Sequence, residues 1–211
     1  MQATVAREHR VELFATVLLA VAAIATAWTT FQSGRWRGQQ SMEANRSQAA
    51  RIQSSEAHTR AGQVTQIDIA TFIQWVDAHA AGQQNLAAFY RARFRAELRP
   101  AFDAWIATRP FTNPQAPSSP FVLPQYRLAQ TREAERLAAL GTVRSAAARD
   151  ADQNADDYLL ALVLFASALF FAGISTKVKT IRQQEALLVI GWLLFLGSAV
   201  WVATRPVTFS I

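Results

Sequence analysis

Two groups of charged residues flank apolar segments of this 211-residue chain. They are the arginines Arg35, Arg37 and Arg46 and the aspartates Asp150, Asp152, Asp156 and Asp157. Carboxylates and guanidinium groups form charge-assisted hydrogen bonds. If the two segments run antiparallel, we expect the two groups to pair and so to set the register. In a homo-oligomer the same residues would form a charged ring at the membrane mouth, and such rings select ions.

A second group of polar side chains lies within the first apolar segment. It comprises the threonines Thr16, Thr26, Thr29 and Thr30. Their hydroxyl groups could line a polar path through an oligomeric channel. A threonine hydroxyl can also bond to a carbonyl of its own helix, which would leave no path. The sequence keeps both interpretations open.

No residue pattern typical of an enzyme is present. The chain has no cysteine, which excludes disulfides, thiolate metal sites and cysteine nucleophiles. The three histidines, His9, His58 and His79, lie in three separate regions. The acidic run 150–154 lacks the glycine and the closing glutamate of an EF-hand loop. We therefore predict a protein that is not an enzyme, with no catalytic residues, no cofactor and no metal site.

The elements that must position these groups are three segments without a charged residue. Residues 13–31, 158–176 and 186–204 are each 19 residues long. A helix of that length reaches ~28 Å, about the thickness of the hydrocarbon core of a bilayer. The sequence thus predicts an all-α membrane protein with three transmembrane helices and an extramembrane helical stalk and head.

The predicted boundaries divide the chain around the spans. The remaining parts are an N-terminal tail (1–12), an extramembrane insertion (32–157), a short basic loop (177–185) and a C-terminal tail (205–211). The loop contains both lysines of the chain, Lys177 and Lys179. Short basic loops stay in the cytoplasm, whereas long insertions cross largely regardless of their charge. We therefore expect the N-terminus and the loop to be cytoplasmic and the insertion to be exterior, although the flanking positive charges nearly tie.

Aromatic residues divide the insertion into a head and a stalk. Ten of them lie within 67–126, so this part should fold as the compact head. Five prolines in 109–124 predict an extended loop there. The flanks 32–66 and 127–157 have no proline and should form two stalk helices. Their predicted contact is a thin apolar seam of Met42, Ala49, Ile52, Leu128, Leu137 and Leu140.

Three stretches carry a resemblance to a known group of proteins. They are residues 12–28, 94–110 and 169–177. In them the chain resembles a group of bacterial three-span integral membrane proteins with a large helical insertion between spans one and two, to which no activity is assigned. The resemblance implies a bacterial inner membrane and a shared fold. It carries over no catalytic or binding residue.

These features lead to one functional prediction and two alternatives. The net charge of +6 is spread along the chain rather than clustered with aromatics, so we expect no nucleic-acid partner. The expected partners are the lipid bilayer, further copies of the chain in a homo-oligomer and a membrane-protein partner. We predict a non-enzymatic structural or interaction assembly. The alternatives are a small oligomeric ion channel and a sensory or accessory subunit of a membrane complex.

Overall fold

The computed structural model describes residues 2–208, excluding the side chains of residues 2–6 and 8. Over this range the chain is helical and contains no strand. The helices are α1 (Gln2–Ala80), α2 (Gln84–Ala92), α3 (Leu98–Ala107), α4 (Ala129–Ser175) and α5 (Ile181–Ala203), with a 3-10 turn at Pro120–Val122. The prediction of an all-helical chain is confirmed.

Three of these helices, α1, α4 and α5, are long and apolar enough to cross a membrane, as predicted. On α5 the large apolar side chains Leu193 and Val200 are 66% and 68% exposed, as expected for a lipid-facing surface. The helix begins at Ile181, so the second half of the predicted loop 177–185 is its first turn. There Glu185 accepts two hydrogen bonds from the guanidinium of Arg7, at 2.6 and 2.7 Å.

The chain divides into two compact units. The span unit comprises Met1–Asn45 and Arg144–Ile211, and the insert unit comprises Arg46–Val143. In the span unit small residues bring the helices close together. A Cβ atom added to Gly191 of α5 would lie 3.0 Å from Leu18 Cδ2 and 3.4 Å from the carbonyl oxygen of Ala168. The three spans therefore pack as one bundle.

In the insert unit α1 and α4 form an antiparallel pair. Ser47 Oγ donates to the carbonyl oxygen of Gly141, and Ser54 Oγ donates to that of Ala134, each at 2.8 Å. The buried seam consists mainly of small residues, namely Ser47, Ala50, Ser54, Ala57, Ala61, Ala134, Leu137 and Gly141. Such residues let two helix backbones approach and let hydroxyl groups reach carbonyls across the seam.

The apolar seam predicted from the sequence is largely wrong. Leu128 and Leu137 are buried, but the other members are exposed. They are Met42, Ala49, Ile52 and Leu140. The physical reason is that alanine, serine and glycine allow closer packing than long apolar side chains do, so the small-residue stripe faces inward. The larger side chains are displaced to the outer surfaces of the helices.

The rest of the insert unit packs around an aromatic cluster. Its fully or nearly buried rings are Phe72, Trp75, Phe94, Phe102 and Trp105. The proline-rich segment 109–124 contains no α-helix and covers the cluster through a hydrogen bond of 2.7 Å from Trp105 Nε1 to the carbonyl oxygen of Pro117. Two rings counted toward the predicted core, Phe89 and Phe111, are instead about half exposed, at 47% and 55%.

Candidate functional site

Polar and charged residues of the span unit converge where α5 ends. We call this cluster the collar, and it consists of Gln32, Ser33, Trp36, Asp157, Tyr158, Arg205, Pro206 and Thr208. Three elements contribute to it: α1, α4 and the segment that follows α5. These residues lie at or just beyond the ends of the predicted spans. Tryptophan and tyrosine are common at the interface between membrane and water, because their rings are apolar and their N–H and O–H groups are polar.

The backbone of the segment after α5 is held by hydrogen bonds to side chains of both long helices. The carbonyl oxygen of Pro206 accepts one hydrogen bond from Trp36 Nε1 and one from the Tyr158 hydroxyl, each at 3.2 Å. The buried amide of Gln32 pairs with the backbone of Thr208, accepting from its N–H at 3.2 Å. Residues 205–208 therefore act as a clasp that ties the end of α5 to α1 and α4.

The clasp leads to a prediction about local exchange. Replacing Tyr158→Phe removes one of the two donors to Pro206. Because a hydrogen bond contributes about 0.5–1.5 kcal/mol, we expect amide hydrogen exchange at Thr208 to accelerate by roughly twofold to tenfold. Tyr90→Phe is the matched control, since the Tyr90 hydroxyl bonds to Gln74 in the insert unit. Unchanged exchange in Tyr158→Phe would contradict the clasp.

The collar changes the predicted pairing of charges at the membrane mouth. Asp157 forms its ion pair with Arg205 of the clasp, at 2.9 Å, and not with an arginine of the first stalk helix. The other predicted aspartates, Asp150, Asp152 and Asp156, are exposed. Arg205 also lies over the ring of Trp201, 5.3 Å from its centroid. The cation that pairs with Asp157 therefore comes from the C-terminal tail (205–211). The spacing of charged residues along the sequence did not indicate this pair.

The predicted arginines are divided between the two units. Arg35 and Arg37 belong to the span unit, where Arg35 is partly buried and Arg37 is exposed. Arg46 is the first residue of the insert unit and is exposed. A charged ring formed by several copies of the chain stays a prediction.

An ion pair that the sequence did not indicate joins α1 to α4 in the span unit. Arg144 Nη1 donates to Glu43 Oε2 at 3.1 Å, and Glu43 is only 6% exposed. A signal for it was present, because Glu43 continues the inward stripe of α1 one turn before Ser47. A carboxylate on a buried stripe requires a partner.

The four threonines of the first span all donate to carbonyls of their own helix. The acceptors lie four residues earlier in each case, at Glu12, Ala22, Ala25 and Thr26, over 2.7–2.9 Å. Thr29 is fully buried within the unit, whereas Thr16 and Thr30 are exposed. The threonines thus face different directions within a single copy, and the channel stays a prediction.

A second polar cluster lies beside the aromatic core of the insert unit. We call it the node, and it consists of Thr65, Asp68, Arg95, Glu97 and Tyr126. Asp68 is 1% exposed and accepts a hydrogen bond of 2.9 Å from the Tyr126 hydroxyl. Arg95 Nε lies 3.7 Å from Asp68 Oδ1, and Arg95 Nη2 lies 3.2 Å from Glu97 Oε1. The node joins α1 to the segments before α3 and before α4.

Burial dominates the acid–base properties of the node. It raises the pKa of Asp68 above its ordinary value, while the Tyr126 hydroxyl and the Arg95 charge act in the opposite direction. Burial also raises the pKa of Tyr126 to about 12, so this residue remains a donor at neutral pH. A hydrogen bond to its own backbone amide lowers the pKa of Glu97. The sequence signal for Asp68 was its place on the buried stripe with Phe72 and Trp75.

Among the described residues no cluster of histidine and acidic side chains is arranged to hold a metal ion. His79 is part of the aromatic packing, with its ring stacked 5.0 Å from Trp75 and 4.9 Å from Phe111. The chain matches no family model, no curated protein and no solved structure. Membership of the bacterial three-span group stays a prediction.

Proposed function

We propose that this chain is a non-enzymatic membrane protein that self-associates through the outer surface of its insert unit. It would lie in a bacterial inner membrane with the N-terminus and the loop after α4 in the cytoplasm and the insert unit outside. The three apolar helices support a multi-pass protein. The excess of lysine and arginine in the loop supports this orientation.

Exposed apolar side chains on the helical pair of the insert unit are the observation that carries this proposal. Ile52 of α1 is 53% exposed, and Leu140 and Val143 of α4 are 38% and 64% exposed. They lie away from the small-residue seam and outside the predicted spans. Copies inserted in one bilayer share an orientation, so each would present this surface at the same height. A second copy is therefore the occupant that fits it.

The oligomeric state of the full chain in nanodiscs or mild detergent tests the proposal. We expect the wild type to form an oligomer and the double variant Leu140→Glu, Val143→Glu to dissociate. Burying an apolar side chain of this size contributes about 1.5–3 kcal/mol. Losing two of them should raise the dissociation constant at least roughly 100-fold. Mass measurement over a dilution series gives this constant.

The matched control places the same charges elsewhere on α4. The double variant Ala138→Glu, Thr142→Glu changes two exposed positions on another side of the helix. Each residue of an α-helix is rotated by about 100° from the one before it, so Ala138 and Leu140 are about 200° apart around the helix axis. This control should assemble like the wild type. A wild type that is monomeric at every concentration, or equal dissociation of both double variants, would overturn the proposal.

A sensory or accessory subunit is the second candidate. The observation that favours it is an open cavity in the insert unit beside the node. As an accessory subunit the chain would pass the effect of a bound ligand to the membrane helices of a partner protein.

A further inference from the structure

An open cavity of about 460 Å³ lies in the insert unit between α1 and the start of α4. Thr65 and Tyr126 form one part of its wall, and Arg127, Thr131, Arg132 and Glu135 form another. Its volume is within the range of small-molecule sites, roughly 300–1,000 Å³. Most of the lining side chains are polar, so a polar ligand suits it better than an apolar one.

The charges that line the cavity differ from those beside it. Within the range 2–208, Arg127, Arg132 and Glu135 form no ion pair. Glu133 and Arg136, which do not line the cavity, pair with each other at 2.7 Å. In the first turns of α4, the two charged residues outside the cavity therefore pair with each other, whereas Arg132 and Glu135, which line the cavity, form no ion pair.

The positions of the available groups are set by their neighbours. Arg127 Nε donates to the carbonyl oxygen of Pro124 at 2.8 Å, which leaves both terminal nitrogens of the guanidinium for another acceptor. Tyr126 is one of the residues lining the cavity, and its hydroxyl donates to buried Asp68 at 2.9 Å. A ligand in the cavity would thus contact a side chain that connects directly to the node.

Two guanidinium groups and one carboxylate in a small polar cavity match a ligand with the opposite arrangement of charges. We propose that this cavity binds a free amino acid, with its carboxylate on Arg127 and Arg132 and its ammonium group on Glu135. Arginine binds carboxylates through paired hydrogen bonds, which gives direction as well as affinity. The threonine hydroxyls of the wall complete the polar surroundings. This inference does not depend on self-association.

Binding to the full chain in nanodiscs tests the inference. The common L-amino acids are screened by thermal shift, and the one with the largest shift is measured by equilibrium dialysis. We expect saturable binding, with Arg127→Gln and Arg132→Gln each weakening it by at least about tenfold, because a charge-assisted hydrogen bond contributes about 1.5–3 kcal/mol. Glu135→Gln should weaken binding of the amino acid. It should leave binding of the deaminated analogue unchanged, because that analogue lacks the ammonium group.

The exposed pair outside the cavity supplies matched controls. Arg136→Gln and Glu133→Gln make the same chemical changes one turn or less away and should leave binding unchanged. All of these side chains are exposed, so far-UV circular dichroism should show an intact fold in each variant. Absence of saturation by every amino acid up to about 10 mM, where binding would be worth under ~3 kcal/mol, would overturn the inference. So would equal losses in the Arg132 and Arg136 variants.

Discussion

Replacing Phe102→Ala is expected to lower the free energy of unfolding of the insert unit by about 3–5 kcal/mol. Phe102 is 1% exposed, and its ring lies 4.7 Å from that of Trp75 and 4.9 Å from that of Phe94. Its removal would leave a cavity among rings that contact one another. Urea denaturation of the full chain in nanodiscs, followed by near-UV circular dichroism, measures the loss.

A substitution at the edge of the same cluster is the control. Phe111 is 55% exposed and contacts His79 and Trp105 at 4.9 and 5.9 Å. Phe111→Ala removes a ring of equal size without opening a closed cavity, so we expect a loss of less than about 1 kcal/mol. Similar losses for the two variants would show that the cluster is not the core of the insert unit.

Replacing Tyr126→Phe is expected to lower the stability of the insert unit by about 1–3 kcal/mol at pH 7. The change removes the hydroxyl that donates to Asp68 at 2.9 Å and leaves a buried carboxylate with Arg95, 3.7 Å away, as its remaining partner in the node. Denaturation at several pH values measures the effect. Tyr90→Phe is the control, because the Tyr90 hydroxyl has only a surface partner, at 3.3 Å.

The pH dependence of this effect follows from the pKa of Asp68. Burial raises that pKa in the folded chain above the ordinary value of 3.8, so the folded state binds the proton more tightly than the unfolded state. The contribution of Asp68 to stability is therefore fully present below about pH 4 and is lost as the pH rises through the folded pKa. The neighbouring carboxylate of Glu97 has its pKa shifted in the opposite direction, mainly by the hydrogen bond to its own backbone amide.

The loss caused by Tyr126→Phe should accordingly be smaller at pH 4 than at pH 7, because a protonated Asp68 is less costly to bury. A companion variant, Asp68→Asn, should remove the decrease in stability between these two pH values, whereas Asp103→Asn, at an exposed ion pair with Arg91, should retain it. A Tyr126→Phe loss that is larger at pH 4 than at pH 7 would contradict this account of the node.

The three helices that are long and apolar enough to cross a membrane could be predicted from the sequence because their signal is local. A run of apolar residues long enough to cross a bilayer needs no information about its neighbours. The helical character of the segments between them followed in the same way from composition and from the absence of proline. Concentrated aromatics also pointed to the part of the insertion that would form a core, and Phe72, Trp75 and Phe102 are in it.

The polar clusters could not be predicted because their members meet only through the register of distant helices. Asp68 and Tyr126 are 58 residues apart, and Tyr158 and Pro206 are 48 apart. The charges that flank the predicted spans are visible in the sequence, but Asp157 pairs with Arg205 of the distant C-terminal segment. Long-range partners of this kind depend on which face of each helix is buried.

By itself the sequence determined the number and apolar character of the helices that could cross a membrane, and the all-helical class of the chain. The tertiary structure decided which stripe of α1 faces α4. Small residues occupy that stripe, and Ile52 and Leu140 do not, because close approach of the two backbones lets Ser47 and Ser54 donate hydrogen bonds across the seam. This choice turned the large apolar side chains of the pair outward.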